Sequence, residues 1–251
     1  MRWREHEGLR WLEAELPGAV AAFSTRLGGV SSGSYESLNL GVLTDDDVEL
    51  VLRNRRLLDT ALGIESGSVL IGRQVHGGEV LVHRRAQDPA PWEAPTQDPP
   101  EVDGHATSVP GLAPLVFVAD CLPIALSGPG GVAMVHGGWR GLAAGIVGRG
   151  VEATGATSAA IGPGIGPCCY EVGEEVLAAF SPLGPHVAAG RMLDLKAVAR
   201  RLLERAGVGE IDDAALCTSC NQDLFFSHRG GGPATGRQVG VVRAQREGAG
   251  S

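Results

Sequence analysis

Short apolar runs broken by glycine turns dominate the chain, and they predict many brief strands with few helices. Ala19–Ser24 reads as a buried strand that enters the turn Thr25-Arg26-Leu27-Gly28-Gly29. Val69–Val75 and Glu79–His83 read as strands on either side of His76-Gly77-Gly78. Leu115–Ala119 and Gly131–Val135 are unbroken apolar runs, as expected of strands covered on both faces. Ala159–Ile161 and Gln238–Arg243 complete the strand set.

Helical spacing is found in fewer places. Asp45-Asp46-Asp47 precedes Val48, Val51, Leu52, Leu57 and Leu58, which predicts a helix with an acidic first turn that ends near Gly63. Gly141–Val151 reads as a helix of small residues, and Gly173–Phe180 and Asp194–Ala206 as two more, the last closed by Gly207. Ala86–Pro100 carries five of the 15 prolines and no period, so it reads as an exposed loop. Strands and helices mix without a repeat, a regular βαβ rhythm or a composition break. This predicts a single α+β domain over residues 1–251.

Composition supports a globular enzyme-sized chain: 251 residues, 43% hydrophobic and 20% charged. The balance of 21 basic to 29 acidic side chains, net −8, argues against nucleic acid or an anionic membrane as partner. Lys196 is the sole lysine. The first 16 residues are too charged for a secretion signal, and no apolar window is long enough to span a membrane. Five cysteines cannot all pair, so the expectation is a reduced, cytoplasmic protein and a monomer.

Three strand ends at glycine turns carry polar side chains: His76, Cys121 and His136. Two imidazoles and a thiolate make the three-ligand set of a catalytic zinc, with a fourth position left for substrate. The same donors suit copper. The same residues also suit a cysteine nucleophile activated by histidine, or two satisfied core histidines beside a free thiol. A multicopper oxidase needs a larger set of histidines, mostly in His-x-His pairs. This chain has seven histidines and no such pair. Asp120, beside Cys121, is a candidate proton carrier, although strand alternation would turn it from the metal. Cys217-x-x-Cys220 and the vicinal Cys168-Cys169 lack a partner histidine and read as reduced structural cysteines, with a second zinc site built from the four as the alternative. Arg26 beside Gly28-Gly29, with Arg140 and the amides of Asn39 and Gln74, are candidate ligands for phosphate or substrate. Phe225-Phe226 are candidates for stacking on a base, with core packing as the alternative.

Taken together, several segments resemble the laccase-domain family, also called multicopper polyphenol oxidases and associated with purine nucleoside phosphorylase activity. They are Ser24-Thr25-Arg26-Leu27-Gly28-Gly29, Leu38-Asn39-Leu40-Gly41, Asn54-Arg55, Gln74-Val75-His76-Gly77, Ala119-Asp120-Cys121-Leu122-Pro123, Val135-His136-Gly137-Gly138-Trp139-Arg140, Ile161-Gly162-Pro163-Gly164, Tyr170-Glu171-Val172-Gly173, Phe225-Phe226-Ser227 and Thr235-Gly236-Arg237. Gly137 and His228 depart from residues common in the family, and neither is a ligand. The resemblance implies an α/β/β/α sandwich with two mixed sheets, and zinc on His76, Cys121 and His136. It implies phosphorolysis of adenosine, inosine and S-methyl-5′-thioadenosine, with adenosine deamination beside it. For some bacterial members it also implies editing of peptidoglycan precursors.

Overall fold

The computed structural model describes residues 1–95 and 98–245. Two six-stranded sheets stack face to face. The first runs β1 (Arg2–His6), β2 (Leu9–Leu16), β3 (Ala19–Ser24), β14 (Gln238–Ala244), β7 (Ala113–Val118) and β4 (Val69–Leu70). The second runs β13 (Glu210–Asp213), β10 (Ser158–Ile161), β8 (Leu122–Gly128), β9 (Gly131–Gly137), β6 (Gly104–Thr107) and β5 (Val80–His83). A small hairpin, β11 (Ala188–Ala189) with β12 (Met192–Leu193), lies outside both. The pairs β4–β7, β5–β6 and β10–β13 are parallel and the other pairs in the two large sheets are antiparallel, so both sheets are mixed.

Period-two alternation builds the layers. Along β7 and β14, Leu115, Val239 and Val241 face an outer core with Leu58, while Val116, Val118 and Val242 face the second sheet. Along β8 to β10, Ala125, Met134 and Ala160 point inward to the same intersheet core; Ile124, Val135 and Ile161 point out. Helix α1 (Val48–Leu62) covers the first sheet's outer face. Helices α2 (Trp139–Ala143), α3 (Ile146–Thr154), α4 (Glu174–Phe180) and α5 (Leu195–Arg205) cover the second. The expected α/β/β/α sandwich is therefore the observed architecture, and continuous apolar runs appear because the central strands are buried on both faces.

Local chemistry explains where elements stop. Asp47 caps α1 by accepting from the Glu49 amide, and Asp194 caps α5 by accepting from Ala197. The single helix expected over Gly141–Val151 is two, α2 and α3, because Gly145 turns the chain with φ +88. The strand expected over Val69–Val75 ends at Leu70, and the following residues leave the sheet to carry His76 toward β9. The charged strands β1 and β13, and the brief β6, carried no apolar signal in the sequence.

His83 and His105 meet on the paired strands β5 and β6, Nε2 to Nδ1 at 2.9 Å, and His105 Nε2 finds no partner among the described residues. Burial pushes His105 down to about 3; His83 lowers it further and Asp103 opposes. Burial also lowers His83. A histidine whose folded pKa lies below its unfolded value of about 6.5 adds stability above that pH and loses it on acidification, by up to about 1.4 kcal/mol per pH unit. Unfolding free energy measured in urea should therefore fall between pH 7 and pH 5, with a shallower slope in His105→Gln. An equal slope in the two proteins would exclude the pair as its source.

Candidate metal centre and substrate cavity

His76, Cys121 and His136 come together as expected, although they arise from three separate segments. His136 projects from the end of β9, Cys121 sits just before β8, and His76 lies in the loop after β4. Their donor atoms lie within 4.8 Å of one another, and the two imidazoles meet edge to face with centroids 4.9 Å apart. Gly138 permits this convergence. A Cβ there would stand 3.1 Å from the His76 ring and 3.2 Å from Cys121 Sγ.

A fully buried carboxylate holds the arrangement. Asp103 Oδ1 accepts from the His76 amide at 2.9 Å and pairs with His136 Nδ1 at 2.8 Å. Asp103 Oδ2 accepts from the amides of Val75 and Gly77. Burial raises the Asp103 pKa, but the bonds from His136, Gly77 and Val75 outweigh it and hold the group ionised below its ordinary range. One carboxylate thus orients one ligand's ring and another ligand's backbone, as carboxylates behind metal-bound histidines do. Nothing in the sequence around Asp103 distinguished it.

Backbone strain collects at the same place. His76 has φ +60 and Asp120 has φ +85, values that cost non-glycine residues about 1–3 kcal/mol. Asp120 stands beside Cys121, but both its oxygens are engaged: Oδ1 accepts from Thr218 Oγ1 at 2.6 Å and Oδ2 from the Arg229 amide at 2.7 Å. It braces the wall.

The set supports two chemistries. Burial pushes the Cys121 thiol up, yet the charge and hydrogen bonds of His136, with His76, bring it down to about 6. Burial lowers His136, but Cys121 and Asp103 raise it to about 9. Cys121–His136–Asp103 is thus connected as a nucleophile triad would be. The third donor, His76, converges on the same point, and two imidazoles with one thiolate fit a zinc site with one open position.

The centre lies on the wall of a cavity of about 670 Å³, within the range that takes small-molecule ligands. Arg73, Arg140, Arg229 and Arg237 line it, and they reverse locally the negative charge of the whole chain. Arg140 stacks on Trp139 at 4.4 Å and Arg229 on Tyr170 at 5.3 Å. Arg55 belongs to the lining too. It is 2% exposed and stacked on Trp92, with Nη2 lacking any partner among the described residues. Gln74 lines the cavity, its amide clamped to the backbone of Phe117.

Two expected phosphate ligands are not part of that lining. Arg26 spends its fork on the carbonyls of Glu36 and Gln222 and stacks on Phe226. Asn39 is fully buried, donating to Thr44 and Asp46 and accepting from the amides of Gly41 and Arg237. Asn39 thus positions Arg237, which does line the cavity. Phe225 and Phe226 are core residues.

The model of the family described as multi-copper polyphenol oxidoreductase laccase matches residues 20–245. A purine nucleoside phosphorylase from Geobacillus stearothermophilus is 35% identical, covering 97% of this chain and 97% of its own length. One from Deinococcus radiodurans is 39% identical over 95% of this chain and 94% of its own. The crystal structure of the Geobacillus protein YlmD superposes with a TM-score of 0.85 at 34% identity, covering 97% of this chain and 98% of that one. A Bacillus licheniformis hypothetical protein, YfiH, gives 0.86 at 28%, covering 97% and 99%. Among the described residues, no helix is long and apolar enough to cross a membrane.

Proposed function

The chain belongs to the multi-copper polyphenol oxidoreductase laccase family, and from that premise we propose that it is a zinc-dependent purine nucleoside phosphorylase. It would act on adenosine, inosine and S-methyl-5′-thioadenosine, with adenosine deamination as a side activity. One observation carries this reading: a three-donor centre and a cluster of arginines share one cavity of nucleoside-accommodating size. Relatives named purine nucleoside phosphorylase over nearly their full length support it.

Phosphorolysis exchanges the glycosidic C1′–N9 bond for a C1′–O bond to phosphate and releases the purine, which takes up a proton. The chain must hold a polyanion against C1′ and stabilise charge that develops on the purine. Arg140 makes no ion pair among the described residues, so its guanidinium is available for phosphate; Arg229 and Arg237 line the same cavity with Nη1 on backbone carbonyls. Trp139, Tyr170 and Phe117 present aromatic surface for the purine, and the Arg55 Nη2 is an unspent donor. Burial raises the Tyr170 pKa to about 12, so its hydroxyl stays a donor at neutral pH. The metal held by His76, Cys121 and His136 would supply Lewis acidity. Asp103 keeps its ligands aimed.

Copper chemistry of the laccase kind has little support. Among the described residues, the two groups able to hold a metal contain only two histidines between them, both in this centre. A hydrolase that uses Cys121 as nucleophile and edits peptidoglycan precursors is the second reading, favoured by the Cys121–His136–Asp103 chain. His76 separates the two, because a nucleophile triad does not need it.

The purified protein should release hypoxanthine from inosine only with phosphate, forming one ribose 1-phosphate per base. Phosphate-independent release would refute phosphorolysis. Arg140→Ala should raise the KM for phosphate about 10- to 100-fold, the worth of a charge-assisted bond, and leave the KM for inosine little changed. An unaltered phosphate KM would remove Arg140 from the site.

A further inference from the structure

Four of the five cysteines converge at a place that the proposed reaction does not use. Cys168 and Cys169 lie in the loop between β10 and α4, and Cys217 and Cys220 in the segment between β13 and α6 (His228–Gly231). Their sulfurs all lie within 4.8 Å of one another, and all four are free thiols. Cys168 Sγ and Cys169 Sγ each stand 3.4 Å from Cys220 Sγ. A tetrahedral zinc with Zn–S bonds of about 2.3 Å sets its sulfurs about 3.8 Å apart, so a small relaxation would complete the coordination shell.

The backbone is arranged for thiolates. The Gly166 amide donates to Cys217 Sγ at 3.2 Å. Gly166 also leaves the room this needs, since a Cβ there would meet Cys168 Sγ at 3.3 Å and Cys217 Sγ at 3.5 Å. The sole lysine joins the two cysteine-bearing segments. Lys196, 8% exposed, donates from Nζ to the carbonyls of Gly164 and Leu216, both at 2.9 Å. A tetrathiolate zinc carries a net charge of −2, and a buried ammonium beside it offsets part of that charge. In sequence this site is only the alternative to reduced structural cysteines, because a vicinal pair and a C-x-x-C nearly 50 residues apart become a four-ligand set only in the fold.

We propose that Cys168, Cys169, Cys217 and Cys220 bind a second, structural divalent metal of zinc type. Binding takes one Zn²⁺ and up to four thiols, forms four Zn–S bonds and releases the thiol protons to solvent. All four positions are filled by protein, which makes the site structural. Its place in the fold indicates its purpose. Thr218, inside the C-x-x-C turn, donates to Asp120, and Tyr170, next to Cys169, lines the cavity. The metal would pin the two loops that supply Tyr170 and Thr218, the second of which leads into α6 with Arg229, and so secure the cavity wall beside Cys121.

The test is metal content of the full chain after reductive stripping and reloading with Zn²⁺. Wild type should hold two equivalents, Cys121→Ser one, and Cys220→Ser one. Loaded with Co²⁺, Cys121→Ser should keep the intense thiolate charge-transfer bands of a tetrathiolate centre, and EDTA should lower its Tm. Zn²⁺ should also protect these four cysteines of wild type from iodoacetamide, a readout that needs no variant. The proposal is overturned if Cys121→Ser binds no zinc, if Cys220→Ser binds as much as wild type, or if the four sulfurs alkylate equally with and without Zn²⁺.

Discussion

The Cys121→Ser protein should emerge from purification with its His76–Cys121–His136 centre empty, and its turnover of inosine should fall about 10³-fold, the rate equivalent of about 4 kcal/mol of lost transition-state stabilisation. Serine nearly preserves volume at a site packed against Gly138, so the fold has no reason to fail. What changes is the donor: a thiolate brought to about 6 by its histidines becomes a hydroxyl that stays protonated and is a poor zinc ligand. Loss of activity alone fits both chemistries, so the companion variant is decisive. His76→Ala should lose metal and activity together. A His76→Ala enzyme with full activity would leave only the Cys121–His136–Asp103 nucleophile.

Asp103→Asn should produce the largest loss outside the ligands themselves. Asparagine keeps one acceptor oxygen and turns the other position into a donor, yet Asp103 meets donors at both: His76 and His136 on one side, Val75 and Gly77 on the other. Two donors would then oppose the new amide inside a buried site, at a cost of about 3 kcal/mol. For a chain of this size that lowers Tm by about 6–12 °C. Zinc affinity should fall about 10- to 100-fold, as it does when a carboxylate behind a metal-bound histidine is lost. Excess zinc should restore part of the activity. A variant with wild-type Tm and zinc affinity would show that Asp103 orients nothing.

Much of the scaffold was readable because its central strands are apolar on both faces. β3, β7 and β14 announce themselves that way, and α1 does so through its Asp47 cap. β1 and β13 did not, being mostly charged edge strands whose partners alone define them. The three convergent donors, His76, Cys121 and His136, were legible for a local reason: they are polar side chains at the ends of apolar runs, the two histidines beside glycines. Arg26 misled for a local reason too. An arginine beside two glycines looks like a phosphate grip, but carbonyls supplied by Glu36 and by Gln222, nearly 200 residues away, take its fork. Asp103 and Arg229 depend on contacts across the chain, which no window of sequence contains, and the four cysteines, in sequence only an alternative zinc site, converge through the fold.

The central claim couples one metal centre to one reaction, and a single assay on stripped and reloaded enzyme tests it. Inosine and phosphate are supplied to the protein after chelation and again after zinc is restored, and hypoxanthine and ribose 1-phosphate are quantified together. The account predicts that both products vanish on stripping and return in equal amounts with zinc. Undiminished, equimolar products from fully metal-free protein would contradict it.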